Sequence, residues 1–254
     1  MRLLLVMLKE PIAGQVKTRL AIDVGNEKSA QYYQAIVEVL LKQLQGLENC
    51  RIRFCYTPDD AGDAVRFWLL PKLKATLSVK EPNLFVIPAA GTQEQEIDFR
   101  PQIGQTLTER VSAACREGFD HGFTEIAAIR SDCPECGARW INAAFATLHG
   151  ANKQHKVSLV TGQCRNDKAE HPYLSALSDI TALDSDSEPH TITLPTLDAL
   201  IDTPSWHALR ESPLGAAIKK SLGEEIEGTE VLDNITVSSE ASLHPLKHIA
   251  DPTP

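Results

Sequence analysis

The sequence lacks any hydrophobic run long enough to cross a membrane, which requires roughly 20 apolar residues. Its first apolar run, residues 3–7, is short, and the charged Lys9 and Glu10 follow where a signal peptide would need small residues for cleavage. We therefore expect a cytoplasmic protein without a membrane span.

An excess of positive charge is also missing. The 254 residues include 25 Lys and Arg against 34 Asp and Glu, which gives a formal net charge of −9. Because this charge repels a polyanion and no basic stripe offsets it, nucleic acid is disfavoured as a general partner. A small phosphorylated ligand remains compatible, since it requires only a local positive pocket.

Several well-known site motifs are absent. The chain has no Walker A ending, no GxGxxG and no GxSxG. It has one CxxC, formed by Cys133 and Cys136, but no second CxxC to complete a structural zinc site. We expect reduced, mostly buried thiols, with these two cysteines in a tight turn.

Strand-like and helical segments alternate along the first two thirds of the chain. The predicted strands are residues 3–7, 51–56, 84–87, 125–130 and 157–161. The predicted helices begin near residues 27, 61, 107 and 138. They end near residue 46, near residue 70, near residue 118 or 122, and near residue 148, and a polar loop covers residues 89–101. Repeated units of this kind predict a single-domain, three-layer α/β/α protein with a mostly parallel sheet.

The pattern weakens after about residue 164. We predict strands at residues 173–177 and 191–194 and short helices at residues 204–211 and 214–222. Residues 1–225 are assigned to one domain, and residues 226–254 to a partly irregular C-terminal extension.

The first 21 residues predict a phosphate-binding turn. The initial strand is followed by a loop with Pro11 and Gly14, and Lys17, Thr18 and Arg19 then begin a helix. Backbone N–H groups at the positive end of a helix, together with two cations, suit a bound anion. An ordinary connection with surface Lys and Arg would have the same pattern, and the residues alone leave both interpretations open.

A second candidate site follows the strand at residues 125–130, where Ser131, Asp132, Cys133 and Pro134 come in succession. A carboxylate at this position can hold Mg²⁺ or Mn²⁺, and the metal can bridge to a diphosphate. Alternatively Asp132 caps the following turn, which is the favoured interpretation of this residue on its own. Both loops follow the carboxyl ends of strands, where α/β sheets bind ligands.

Several segments in order along the chain are similar to motifs of one family. They are KEPIAGQVKTRLA (residues 9–21), QIGQTLTER (102–110), SDCP (131–134), and LPTL with IDTP (194–204). The family is that of bacterial glycosyltransferases related to nucleotide-diphospho-sugar transferases. The resemblance implies a GT-A-type fold and transfer of a glycosyl group from a nucleotide-diphosphate sugar to an acceptor that it does not identify.

The resemblance also implies roles for particular residues. Gly14, Lys17 and Arg19 would bind the nucleotide and its phosphates, and Arg110 would support the site from its helix. Asp132 would be a catalytic residue and the metal ligand, with Mg²⁺ or Mn²⁺ as the cofactor. The implied cation would offset charge on the leaving diphosphate.

The chain departs from the family pattern beside this aspartate. Arg130 stands where the pattern has glycine. We expect its guanidinium either to pair with Asp132 and compete with the cation, or to bind a phosphate directly.

A second departure follows the strand predicted at residues 157–161, where the D-G-G-Y-Y segment of the family is missing. Asp167, Glu170 and Tyr173 are the candidates to replace it. Of these three we predict that Asp167 is catalytic, in addition to Asp132. This loss supports an alternative, a catalytically impaired relative that binds a nucleotide or a protein partner. A nucleotidyltransferase on the same fold ranks third.

Overall fold

The first strand is apolar on both faces, and helices cover both. The computed structural model describes residues 1–77, 96–133, 136–150, 158–164, 174–183 and 189–194. Its elements are β1 (Arg2–Lys9), α1 (Thr18–Val24), α2 (Asn26–Gln43), β2 (Cys50–Thr57), α3 (Gly62–Thr76), β3 (Ile97–Pro101), α4 (Leu107–Asp120), β4 (Glu125–Arg130), α5 (Ala138–Gly150), β5 (Leu159–Cys164), β6 (Leu174–Leu177), a 3₁₀ turn (Ile180–Leu183) and β7 (His190–Leu194).

The described strands form one seven-stranded sheet in the order β3-β2-β1-β4-β6-β5-β7. β1 pairs in parallel with β2 and β4, β2 with β3, and β5 with β7. Only β6 is antiparallel to its neighbours β4 and β5 within this sheet. The predicted α/β class with a mostly parallel sheet is therefore confirmed.

Two hydrophobic clusters lie on opposite faces of the sheet. Leu4, Val6 and Leu8 of β1 pack with α2, α3 and α5. Leu3 and Leu5 point the other way and pack with α4. Since both faces are covered, β1 is a continuous apolar run rather than an alternating one, as is typical of central parallel strands.

The helices and strands agree with the predicted ones to within a few residues, with one extension and one correction. α3 runs to Thr76, past Pro71, whereas the prediction ended it at residue 70. Residues 97–101 were predicted as part of a polar loop, and this is wrong, because they form β3. Ile97 and Phe99 are buried on one face of β3, and Asp98 lies on the other face, where it pairs with Arg53.

Other predictions fall outside the described residues. These are the strand at residues 84–87, the helices at residues 204–211 and 214–222, and the domain boundary after residue 225. None of the helices in the described segments has the length and apolarity that a membrane span requires.

Candidate functional site

The loops that follow β1 and β4 meet at one edge of the sheet. The two strands are adjacent and parallel, with Met7 opposite Arg130, so both chains leave the sheet at the same end. The Lys17 ammonium donates to Oδ2 of Asp132 at 3.0 Å. The two segments singled out from the sequence, 115 residues apart, thus contact each other directly.

The loop after β1 has a fixed backbone. Gln15 N–H donates to the Ile12 carbonyl at 3.0 Å, and Gly14 has a φ of +81°, which glycine adopts without strain. Lys17 precedes α1 with φ 46° and ψ 46°, a left-handed conformation that is unfavourable for a lysine. The Ser29 hydroxyl stabilises this conformation by donating to the Lys17 carbonyl at 2.8 Å.

Asp132 accepts hydrogen bonds from two cations. Arg130 donates from Nε to Oδ1 at 3.2 Å and from Nη2 to Oδ2 at 3.1 Å, in addition to the bond from Lys17. The side chains of Lys17, Asp132 and Arg130 are 4%, 16% and 25% exposed. Burial would raise the pKa of the Asp132 carboxyl, but the ion pairs with Lys17 and Arg130 outweigh it and hold that pKa well below its ordinary value.

A buried tyrosine connects this edge of the sheet to α2. The Tyr33 hydroxyl accepts the Lys9 N–H at 2.9 Å and is hydrogen-bonded to the Ser131 hydroxyl at 2.8 Å. Burial raises the pKa of Tyr33, so the phenol remains protonated. Ser131 N–H also donates to the Met7 carbonyl at 3.0 Å, which fixes the backbone immediately before Asp132.

A polar cleft of about 240 Å³ opens beside this cluster, at the ends of β1 and β2. Its lining residues are Lys9, Glu10, Gln15, Thr57, Pro58 and Arg110. Arg110 reaches the cleft from α4, and its Nε donates to the Gly104 carbonyl at 2.9 Å. The Gln102 side chain donates to the carbonyls of Leu8 at 2.9 Å and Cys55 at 2.6 Å, so it joins the two strand ends below the cleft.

The family described as "Uncharacterized protein conserved in bacteria (DUF2064)" matches residues 40–166, which is half of the chain. The chain belongs to this family. The matched segment includes Arg110, Arg130 and Asp132, while Lys17 precedes it. No curated protein sequence matches this DUF2064 chain.

Three solved structures are similar to this chain to different degrees. A "putative nucleotide-diphospho-sugar transferase" from Desulfovibrio desulfuricans G20 superposes with a TM-score of 0.59 at 22% identity, covering 86% of this chain and 94% of that one. A 4-diphosphocytidyl-2C-methyl-D-erythritol synthase from Anaerococcus prevotii DSM 20548 has a TM-score of 0.44 at 11% identity, covering 79% and 93%. A cytidylyltransferase from Leptospira borgpetersenii has a TM-score of 0.45 at 13% identity, covering 98% and 99%. The first of these shows that the DUF2064 chain has the nucleotide-diphospho-sugar transferase fold.

Arg19, Asp167 and the two cysteines of the CxxC are the remaining residues singled out from the sequence. Arg19 lies in the first turn of α1, and its side chain is outside the described part of the structure. Asp167 is outside the described residues altogether. Cys133 and Cys136 are buried, their sulfur atoms lie 3.2 Å apart, and Cys136 N–H donates to the Cys133 carbonyl at 3.1 Å.

Sequence reasoning missed two residues that organise the site. Neither Tyr33 nor Ser29 was predicted to be a site residue. Both belong to α2, and both have a hydroxyl on a buried helix face. A buried hydroxyl needs a hydrogen-bond partner, and this requirement is the feature that could have identified them.

The resemblance described above implies a divalent cation on Asp132, and the described side chains around it do not fit one. Both carboxylate oxygens already accept hydrogen bonds from cations. Across the described segments, no three His, Cys, Asp or Glu side chains are grouped so that they could hold a metal ion. Mg²⁺ and Mn²⁺ need several oxygen ligands, which one occupied carboxylate does not provide.

Proposed function

We propose that this protein binds a nucleotide-diphosphate sugar at the carboxyl ends of β1, β2 and β4 and transfers the sugar to an acceptor. The observation that supports it most directly is the Lys17 ammonium, which Asp132 holds at the edge where the β1 and β4 loops meet. A cation fixed at the end of a central strand is suited to a diphosphate.

The side chains at this edge divide into two regions that match the two parts of a nucleotide. Lys17 and Arg130 form a cationic region suited to the phosphates. The cleft that Gln15 and Arg110 line has the polar groups to bind a nucleoside. Gln15, which lines the cleft, is two residues from Lys17 in the same loop.

Glycosyl transfer requires stabilisation of the leaving diphosphate. In the proposed complex, Lys17 and Arg130 offset the negative charge that develops on it as the glycosidic bond breaks. Arg19 as a further phosphate ligand and Asp167 as a catalytic residue on the acceptor side belong to this proposal as predictions.

One observation favours a second candidate, a relative that binds the nucleotide without turnover. Asp132 is paired with two cations and its pKa is low, so this carboxylate is a poor general base. In that case the same edge would bind a nucleoside diphosphate, but no sugar would be transferred.

Binding is tested by titrating UDP, GDP, CDP, ADP and dTDP, and their sugar conjugates, into the protein by calorimetry. We expect at least one to bind, and Lys17→Met to weaken its Kd about 10- to 100-fold, because a charge-assisted hydrogen bond is lost. The matched control is Lys42→Ala on the last turn of α2, which removes an exposed cation and should leave Kd unchanged.

Turnover is tested on the nucleotide sugar that binds. Release of free nucleoside diphosphate above the rate of the protein-free mixture, lost in Lys17→Met and retained in Lys42→Ala, supports transfer or donor hydrolysis. Binding without release supports the second candidate. Failure of every nucleotide to bind contradicts both.

A further inference from the structure

We infer that Asp132 is a positioning residue: its carboxylate orients Lys17 and Arg130, so that two side-chain cations supply the positive charge that the resemblance assigns to a divalent metal. The inference rests on the proposed function, because it concerns how the same edge of the sheet would bind a nucleoside diphosphate.

Both oxygens of the Asp132 carboxylate already accept hydrogen bonds. Oδ2 accepts from Lys17 Nζ at 3.0 Å and from Arg130 Nη2 at 3.1 Å, and Oδ1 accepts from Arg130 Nε at 3.2 Å. A metal that coordinated either oxygen would have to displace one of these donors. It would then lie beside both cations, where like charges repel each other.

Lys17, Arg130 and Asp132 together carry a net positive charge. One carboxylate between an ammonium and a guanidinium leaves this group of three residues with an excess of one positive charge. An ammonium has three N–H donors and a guanidinium has five, so binding to Asp132 does not use the full donor capacity of either group. Such a pair can bind the oxygens of a diphosphate while the carboxylate keeps both cations in place.

The backbone is held in place at both cations, Lys17 and Arg130. Arg130 is the last residue of β4 and is paired with Met7 of β1. The Lys17 backbone is held by the Ser29 hydroxyl, and Ser131 is held by Tyr33. The two cations therefore extend from fixed points, which favours a preorganised anion site over a chance surface contact.

The test measures how nucleoside diphosphate affinity depends on metal, using the diphosphate that binds best among UDP, GDP, CDP, ADP and dTDP. Titrations are made in EDTA and in excess Mn²⁺. We expect the two Kd values of the unmodified protein to agree within about twofold, because the cationic charge is already present.

Two variants separate positioning from metal ligation. In EDTA, Asp132→Asn should weaken binding about tenfold, because the cations lose the anion that orients them. If Asp132 had no positioning role, removing its negative charge near a phosphate would instead tighten binding. Arg130→Ala should also weaken binding about tenfold in EDTA, and Arg130→Lys should recover part of the loss.

Folding is checked by circular dichroism on every variant, and Lys42→Ala is the matched control for loss of a cation. Binding by the unmodified protein that appears only with Mn²⁺ would overturn this inference and leave the proposed function intact. Equal or tighter binding by Asp132→Asn in EDTA would overturn it as well. Absence of binding with and without Mn²⁺ would overturn the proposed function, and the inference with it.

Discussion

At the scale of single residues, the site depends on hydrogen bonds that hold other groups in place. Ser29 fixes the carbonyl of Lys17, Tyr33 fixes Ser131, and Asp132 fixes two cations. The pairing of Arg130 with Asp132 was one of two expected roles for that arginine, and the structure shows it. The contact of Lys17 with the same carboxylate was not expected, because sequence reasoning assigned Lys17 only to a phosphate.

The low pKa of Asp132 predicts how stability depends on pH. Its folded-state pKa lies below the ordinary value near 3.9, so the ionised carboxylate stabilises the fold above that pH. The contribution is lost as pH falls through about 4 towards the lower folded-state value. We expect Asp132→Asn to reduce the free energy of unfolding by about 2 kcal/mol at neutral pH, and by progressively less below pH 4.

Urea denaturation of both proteins at a series of pH values checks this expectation. Asp63→Asn, at a fully exposed carboxylate on α3, is the control and should leave the pH dependence unchanged. We compare the free energy of unfolding of the unmodified protein with that of Asp132→Asn. If the difference between them stayed constant below pH 4, the ion pairs would not stabilise the fold.

At the scale of elements, β3 shows what local patterns can and cannot predict. Ile97 and Phe99 alternate with Asp98 and Arg100, as in a strand, although these residues were predicted to belong to the polar loop of residues 89–101. The charges are accommodated because Arg53 of β2, which is 2% exposed, binds both oxygens of Asp98 at 2.8 and 3.0 Å. A partner 45 residues away cannot be inferred from the pattern of β3 itself.

This ion pair leads to a prediction about the β2–β3 edge. Asp98→Ala leaves the buried Arg53 guanidinium without its main partner, and we expect it to lower the free energy of unfolding by about 3 kcal/mol. The double variant Arg53→Met with Asp98→Ala should lose less, because no uncompensated cation remains in it.

Denaturant unfolding monitored by circular dichroism provides the measurement. Asp63→Ala removes an exposed carboxylate from α3 and should leave the midpoint unchanged. If Asp98→Ala behaved like Asp63→Ala, the pair would contribute nothing to joining β3 to the sheet.

At the scale of the whole molecule, the parallel sheet explains why the loops after β1 and β4, which are far apart in the sequence, meet at one edge. The alternating pattern predicted that both loops follow carboxyl ends of strands, and the order β2-β1-β4 places those ends side by side. The side-chain contacts themselves depend on the packing of α2 against β1 and β4, which single-sequence periodicity does not specify. For this reason the meeting of these two loops at one edge was predictable, while their ion pairs and supporting hydroxyls were only partly so.

The same topology predicts where the fold is most resistant to opening. β1 is paired along most of its length with β2 and β4, and Leu4, Leu5 and Val6 are fully buried. Their amides should exchange with solvent only on global unfolding, with a free energy of exchange within about 1 kcal/mol of the value from urea. Hydrogen exchange measured by NMR checks this, and Phe99 of β3, at one end of the described sheet, should exchange faster. Equal rates for β1 and β3 would contradict it.

The position of β1 also has a consequence for synthesis on the ribosome. β1 is made before the other described strands, and β2 can pair with it early, but β4 begins 123 residues after Arg2. Until β4 is made, one edge of β1 has unpaired amides, which is a risk for aggregation of the nascent chain. The pairing that closes this edge also brings Asp132 to Lys17, so the central strand becomes fully paired as the proposed anion site forms.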